Sequence, residues 1–203
     1  MMKNKSIIIL LLLLLFTSVV DAEEGTLKSE QLRYLKEEEI YLARGDIYFS
    51  YQEDEITAEH LEMNRNTEEL VFSDDVYLEQ IDGDQIWGQQ LILKLQEDLL
   101  IVEDEVRLKT EKEGKLLDLR ADYLEILTAS DDLLARGDLF IIYDGQEIKG
   151  EKLDYQATKN EIIITDNVVV REDGQWLQAK KLVIDLETGD FDATENVKLE
   201  FEL

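Results

Sequence analysis

One pattern recurs six times in this 203-residue chain and constrains its fold more than any other feature. In every copy a small residue is followed three positions later by leucine, and successive copies start 29 to 33 residues apart. The small residues are Ser29, Ala58, Gly88, Ala121, Gly150 and Ala179, and the leucines are Leu32, Leu61, Leu91, Leu124, Leu153 and Leu182. A period of this length, about 29 residues, predicts one supersecondary unit that is stacked on its copies.

The second half of each copy holds two apolar pairs on either side of a short polar pair, as in Leu70/Phe72 and Val76/Leu78. Alternation with a period of two predicts strands with one buried face. The polar pairs are rich in Asp, Asn and Gly, which tolerate left-handed backbone, so they predict a corner or bulge. They are Gly45-Asp46, Asp74-Asp75, Asp104-Glu105, Gly137-Asp138, Asp166-Asn167 and Glu195-Asn196.

The first strand of each copy should bend as well, because the small residue and the leucine three positions later have opposite parity. A block of 21 residues, from the small residue to the last apolar position, keeps its length in all six copies. Extra residues fall between blocks, around Gly83 and Lys112–Lys115, which is typical of surface hairpins. The chain is therefore predicted to be all-β, in units of two or three short antiparallel strands that turn a corner between two faces.

Helix propensity disagrees with the repeat in one place, at residues 32–39, where the run Lys36-Glu37-Glu38-Glu39 could continue a helix. The phase of the repeat favours a strand there, and we predict a strand.

Residues 1–22 predict an export signal. Lys3 and Lys5 precede an apolar run that starts at Ile7 and continues to Val20. An apolar core of about 14 residues suits a signal peptide better than a bilayer span, which needs roughly 20. Cleavage after Ala22 would leave one domain, residues 23–203; the alternative is an uncleaved membrane anchor.

Acidic residues dominate the composition, with 48 Asp and Glu against 21 Lys and Arg, and a formal net charge of −27. Nucleic acid and anionic membrane surfaces bind patches of Lys and Arg, so this charge argues against both as partners. The sequence has no cysteine. Export therefore brings no disulfide framework, and a periplasm-like space or a cell surface fits the composition.

Few residues suggest catalysis or metal binding. His60, the single histidine, is expected on the outward face of a strand, and no nucleophile motif accompanies it, so no enzyme is predicted. Asp82-Gly83-Asp84 and Asp131-Asp132 do not extend into a calcium-loop pattern and are interpreted as turns, so neither a metal nor a cofactor is predicted. Trp87 and Trp176 lie near the starts of blocks, where packing is favoured over a binding role.

The repeat resembles that of the OstA-like, or LptA-like, family of periplasmic lipopolysaccharide-transport proteins. The motifs that carry the likeness are Ala121-Asp122-Tyr123-Leu124, Ala135-Arg136-Gly137-Asp138-Leu139 and Asp166-Asn167-Val168-Val169-Val170. The resemblance implies a slightly twisted, open β-jelly roll whose two antiparallel sheets form a V-shaped apolar groove. It also implies a carrier, not an enzyme, that holds the acyl chains of lipopolysaccharide and passes them toward the outer membrane by head-to-tail assembly.

Under this resemblance, inward-facing residues of the repeat would bind lipid along the groove. The predicted lining is Phe49, Phe72, Leu78, Leu108, Ile141 and Val170. The partners implied are lipopolysaccharide or a related glycolipid, other components of the transport system, and further copies of the chain. Two alternatives are a membrane-anchored LptC-like partner of the same transporter and a structural or adhesive β-solenoid with a closed core that binds no lipid.

The basic residues depart from this expectation, since a carrier of an anionic glycolipid should show them at the mouth of its groove. Eight lysines between positions 109 and 181 are scattered along the sequence. Three explanations stay open: the headgroup remains in solvent, cations screen it, or the cargo differs.

Overall fold

The computed structural model describes residues 25–51, 54–112, 114–172 and 174–201, and the predicted signal segment lies outside these ranges. Apart from one 3₁₀ turn, Leu95–Glu97, the described elements are all strands, and none of the described residues forms a helix long and apolar enough to cross a membrane. The strands are β1 (Thr26–Lys28), β2 (Gln31–Leu35), β3 (Ile40–Tyr51), β4 (Asp54–Asn64), β5 (Glu69–Glu79), β6 (Gln85–Lys94), β7 (Leu99–Lys112), β8 (Lys115–Leu127), β9 (Asp132–Tyr143), β10 (Gln146–Gln156), β11 (Glu161–Glu172), β12 (Gln175–Asp185), β13 (Phe191–Thr194) and β14 (Lys198–Glu200).

Backbone hydrogen bonds join all 14 strands into one antiparallel sheet, in which β3 to β12 pair in chain order. The sheet is not closed: β1 and β2 form one edge, beside β3, and β13 and β14 form the other, beside β12. The all-β, open architecture predicted from the sequence is confirmed. Residues 31–35 are strand and residues 36–39 form a turn, so the repeat phase was the better guide than helix propensity.

Each of the six predicted corners is a bend of the backbone. Both residues of every polar pair have positive φ, from 38° at Asp138 to 80° at Gly137. The strand registers shift beside these pairs, as between Arg44 and Ile47 and between Ser73 and Val76. Asp, Asn and Gly adopt left-handed backbone at lower cost than other residues, which explains why they fill these positions.

The strands themselves are longer than predicted. The ten strands β3 to β12 contain 10 to 14 residues each, where the sequence indicated short strands separated by corners. The reason is that each corner is a bulge, which bends a strand and increases its twist without ending the hydrogen-bonded ladder. The two sheets that the resemblance implies are therefore halves of one continuous sheet.

The bends divide this sheet into two layers that share every long strand. The front layer contains Val76–Glu79 of β5 and the segments of the other strands that lie in line with it across the sheet. The back layer contains Glu69–Ser73 of β5 and the segments that lie in line with that. The rings of Phe49, in the front layer, and Phe72, in the back layer, lie with their centroids 5.5 Å apart. The inner faces of the two layers therefore meet close to the bends.

The small residue of each block lies where the two layers approach. A Cβ on Gly88 would lie 2.4 Å from Cγ1 of Val102, and one on Gly150 would lie 2.5 Å from Cγ2 of Ile164. In both cases a β-branched side chain 14 positions further along the chain occupies the space. Glycine is therefore required at these two positions by close packing.

Candidate functional site

The inner faces of both layers form one apolar core, whose central residues have no exposed surface. Phe72, Leu91, Val102, Leu124 and Val168 are each 0% exposed. Their neighbours along the strands point outward, as the period of two predicts; some are polar, such as Ser73 and Gln90, and others are apolar, such as Val71 and Ile92. The core runs along the whole stack of strands, because every block contributes residues to it.

Three cavities lie between the layers, on the side away from the bends. The first, of about 550 Å³, is bounded by Phe49 and Leu78 of the front layer and by Leu93 and Leu100 of the back layer. The second, of about 200 Å³, shares Gln80, Asp82 and Thr128 with the first, so the two are adjacent. Leu108, Thr110, Leu117 and Leu119 form its front wall, and Ile126, Leu133, Leu153, Tyr155 and Ile162 form its back wall.

The third cavity, of about 70 Å³, lies toward the β13 edge. Tyr143 and Val170 line it from the front layer, and Leu182, Ile184 and Phe191 line it from the back layer. The three cavities thus succeed one another along the stack from β3 to β13, and together they form an interior groove with mainly aliphatic and aromatic walls.

Four of the six predicted lining residues border this groove: Phe49 and Leu78 the first cavity, Leu108 the second and Val170 the third. Phe72 and Ile141 border none of the three, and both are buried in the core. Phe72 lies close to the bend, where the layers touch. Ile141 occupies the same repeat position as the other four, but it is packed to 1% exposure.

The prediction missed the back wall of the groove. Leu93, Leu100, Ile126, Leu133 and Tyr155 are inward positions of the repeat five and twelve residues after the small residue. The repeat alignment contains these columns, so the apolar signal was available. The repeat alignment does not show how the sheet folds, and this folding places the front-wall and back-wall residues opposite each other.

The wall of the second cavity contains one isolated polar atom. The Oγ1 atom of Thr110 is buried and has no hydrogen-bond partner among the described residues. A hydroxyl left in that state costs about 1 to 3 kcal/mol relative to a paired one. The hydroxyl of Thr110 can therefore donate and accept a hydrogen bond inside the groove.

Several carboxylates border the cavities of the groove. Asp54, Asp82 and Asp98 border the first cavity, and Asp84 and Asp131 border the second. The Oδ1 atom of Asp54 accepts a hydrogen bond of 3.0 Å from the N–H of Ile81. Burial raises the pKa of Asp54 above its ordinary value of 3.8; the hydrogen bond from Ile81 opposes this rise, and the charge of Asp82 adds to it.

Replacing Asp54 by asparagine should change the pH dependence of stability. Because the pKa of Asp54 is higher in the folded state than in the unfolded state, its contribution to stability is greatest below pH 3.8 and decreases as the pH rises through the raised pKa. Asp54→Asn keeps an oxygen acceptor for Ile81 and removes the charge. We expect the variant to gain stability relative to the wild type as the pH rises from 4 to 7.

Urea unfolding of both proteins across this range measures the effect. Glu59→Gln, at an exposed position of β4, is the matched control for the loss of one carboxylate. An Asp54→Asn variant that loses stability relative to the wild type as the pH rises would contradict the assignment.

The other sequence candidates are His60, outside the groove, and two turns whose residues Asp82, Asp84 and Asp131 border the cavities. His60 is on the outer face with its side chain 47% exposed, and its Nδ1 lies 2.9 Å from Oδ2 of Asp74. Asp82-Gly83-Asp84 forms the turn between β5 and β6, in which the N–H of Gly83 donates to the carbonyl of Gln80 at 2.9 Å. No group of three or more acidic, His or Cys side chains suited to a metal occurs within the described ranges.

Asp131-Asp132 also belongs to a turn, between β8 and β9. The N–H of Asp131 donates to the carbonyl of Leu127 at 2.8 Å, and Oδ1 of Asp132 accepts the N–H of Ala157 at 2.9 Å. The turn interpretation of this pair is confirmed.

Comparison with known proteins gives a match over most of the repeat. Residues 55–190 match the family described as "LptA/(LptD N-terminal domain) LPS transport protein". No curated protein matches the chain significantly. Among solved structures, the chain is similar to LptH, described as the LptA homologous periplasmic component of the conserved lipopolysaccharide transport device from Pseudomonas aeruginosa. The identity is 9%, the match covers 89% of this chain and 96% of that chain, and the TM-score is 0.28, too low to establish a shared fold by itself.

Proposed function

The chain belongs to the LptA/LptD N-terminal-domain family of LPS transport proteins, and we propose that it is a periplasmic carrier whose interior groove binds the acyl chains of lipopolysaccharide. The observation that carries this proposal is the row of three cavities between two apolar layers. A closed β-solenoid with a filled core, the alternative from another class, does not account for them.

Apolar burial supplies the driving force for such binding. Each methylene group that moves from water to an apolar wall gains about 0.8 kcal/mol, so a segment of six methylenes would gain about 5 kcal/mol. The aliphatic walls make no directional demand on the chain, and Thr110 adds one polar contact in the second cavity. A groove of this kind suits hydrocarbon chains of varied length better than a rigid polar ligand.

Photocrosslinking from one inward and one outward position tests acyl binding. Leu117 lines the second cavity, whereas Glu62 of β4 is exposed on the outer face of the back layer. A photoreactive amino acid at position 117 should form an adduct with lipopolysaccharide, and the same amino acid at position 62 should form far less. Equal yields at the two positions, or no adduct at position 117, would exclude the groove as the acyl site.

The edges of the sheet support head-to-tail assembly as part of the same proposal. Leu32 and Tyr34 at the β2 edge are exposed, as are Phe191 and Leu199 at the opposite edge. Three of these residues pair directly with inward residues of the next strand, Leu32 with Ala43, Phe191 with Ile184 and Leu199 with Leu177. They are thus inward residues beside which the described part of the chain places no further strand. Joining β1 and β2 of one copy to β13 and β14 of another would continue both the sheet and the groove.

A second form of the proposal keeps residues 1–22 as a membrane anchor and makes the chain the LptC-like partner of the same transporter. N-terminal sequencing of the exported protein separates the two forms, since a carrier released after Ala22 would begin at Glu23. In either form the protein transports and does not catalyse; exposed His60 has Asp74 as its partner and no nucleophile motif beside it.

A further inference from the structure

The outer face of the front layer carries a row of basic and aromatic residues that crosses five strands. Trp87 of β6 pairs with Arg107 of β7, Arg107 with Arg120 of β8, Arg120 with Phe140 of β9, and Phe140 with Lys149 of β10. Lys109 lies two positions from Arg107 on the same face. We call these six residues the outer strip: Trp87, Arg107, Lys109, Arg120, Phe140 and Lys149.

The carboxylate of Asp118 bonds directly to one cation of the outer strip, Arg107. The Nε atom of Arg107 donates to Oδ1 of Asp118 at 2.9 Å, and Nη2 donates to Oδ2 at 2.5 Å. This bidentate bond lowers the pKa of Asp118, so the carboxylate is charged and neutralises Arg107. Lys109 and Arg120 also attract this carboxylate. One carboxylate offsets only one of the four cations of the outer strip, so the strip and Asp118 together carry a net positive charge.

Lys109, Arg120 and Lys149 each lie over an aromatic ring. The Nζ atom of Lys109 is 5.8 Å from the ring centre of Trp87. The guanidinium of Arg120 and the Nζ atom of Lys149 are 5.9 Å and 5.7 Å from the ring centre of Phe140. Both rings are half-buried. A surface of alternating cations and ring faces suits a saccharide that carries phosphate groups, because phosphates bind Lys and Arg while the sugar covers the apolar rings.

The outer strip and the groove share one structural element, the β7–β8 hairpin. Its inner face, with Leu108, Thr110, Leu117 and Leu119, forms the front wall of the second cavity. Its outer face carries Arg107, Lys109 and Arg120. Lys109 is three residues from Lys112, where β7 ends, a distance of about 10 Å along a strand. A molecule with its acyl chains inside the groove can therefore cross the tip of the hairpin and reach the outer strip.

Resting on the proposed function, we propose that the outer strip binds the phosphorylated saccharide head of the same glycolipid whose acyl chains enter the groove. Lys109 and Lys149, which are far apart in the sequence, meet here with Arg107 and Arg120. The rest of the surface favours this location, because a chain with a net charge of −27 repels an anionic head elsewhere. The acyl chains would then contact the inner face of the β7–β8 hairpin, and the head would contact its outer face.

Calorimetry with a soluble probe tests the outer strip separately from the groove. The probe is the deacylated, phosphorylated oligosaccharide prepared from lipopolysaccharide, compared with the same oligosaccharide after removal of its phosphates. The variant Lys109→Gln/Arg120→Gln/Lys149→Gln should bind the phosphorylated probe about tenfold more weakly than the wild type, as the loss of three surface charge contacts predicts. The wild type should bind the dephosphorylated probe weakly, and salt should weaken its binding of the phosphorylated probe.

The matched control removes the same charge from the outer face of the back layer. Arg33→Gln/Arg136→Gln/Lys152→Gln also takes away a cation over a ring, since Arg136 lies 4.2 Å from the ring centre of Tyr123. Its affinity should stay within about twofold of the wild-type affinity. Equal losses in the two triple variants, or no binding of the probe by the wild type, would overturn the outer strip as the saccharide site.

Photocrosslinking from position 117 keeps this result distinct from the proposed function. If the wild type forms the acyl adduct and does not bind the oligosaccharide, the outer strip fails and the groove stands. If the wild type binds the oligosaccharide and forms no acyl adduct, the groove fails, and the proposal of one glycolipid held at both sites fails with it. The proposal holds if the wild type gives both signals and the strip variant loses only the oligosaccharide.

Discussion

Replacing Gly150 by alanine is expected to lower the free energy of unfolding by about 2 kcal/mol, because the new methyl group overpacks the line along which the sheet bends. The added Cβ would lie 2.5 Å from Cγ2 of Ile164, closer than two carbon atoms can approach. Chemical denaturation of the wild type and the variant measures the loss.

A double-mutant cycle shows whether this contact is the cause. Elsewhere the chain has alanine at both corresponding positions, as in Ala121 and Ala135. Ile164→Ala alone should cost about 2 to 5 kcal/mol by leaving a cavity, and Gly150→Ala should fill part of it. The double variant should therefore be more stable than the sum of the two changes predicts, by about 1 kcal/mol or more. Additive losses would contradict the close-packing explanation.

Gly25→Ala is the control for the glycine change itself. A Cβ at that position would meet no atom of the described residues closer than 3.6 Å. The stability of this variant should differ from the wild-type stability by less than about 0.5 kcal/mol.

Two edge variants that are monomeric alone should form a dimer when mixed. Leu32→Asp places a charge at the β2 edge and Leu199→Asp places one at the β14 edge, at inward positions that are 58% and 53% exposed. A head-to-tail joint uses one edge of each kind, so either change removes every joint in a pure sample. In a mixture, the intact β14 edge of the first variant can still join the intact β2 edge of the second. Assembly then stops at two copies.

Sedimentation velocity of the wild type, each variant and the equimolar mixture measures these states. The wild type should form a concentration-dependent series of oligomers. Leu116→Asp, at a position that is also exposed but away from both edges, should leave that series unchanged. A mixture that stays monomeric, or a pure variant that still forms oligomers, would contradict head-to-tail joining through the edge strands.

The bends are the part of the fold that local chemistry determines, and they were predictable. All six polar pairs adopt positive φ at both residues, and ten of the twelve residues are Asp, Asn or Gly, which tolerate that backbone; Glu105 and Glu195 are the exceptions. Strand length was not predictable in the same way. Whether a bulge ends the ladder or only bends it depends on the neighbouring strands, so the pairs looked like ends of short strands.

Residues of the front wall of the groove were predictable from the repeat, and its back wall was missed. Phe49, Leu78 and Leu108 follow from the repeat, because inward positions alternate along a strand. Ile141 occupies the same column, yet the side chains around it leave no space, and local volume is not visible in a pattern of apolar residues. The outer strip depends on the register of five strands, which brings Trp87 and Lys149 into one row although they are far apart in the sequence.

Native mass spectrometry of the full chain purified from its own cells tests the central claim, that the groove between the layers holds acyl chains. The wild type should retain the mass of one glycolipid. Leu117→Glu, which places a charge inside the second cavity, should retain none. Lys152→Gln, which makes the same change of net charge on the outer face of the back layer, should retain as much as the wild type. A wild type that carries no lipid, or a Leu117→Glu variant that carries as much as the wild type, would contradict the account.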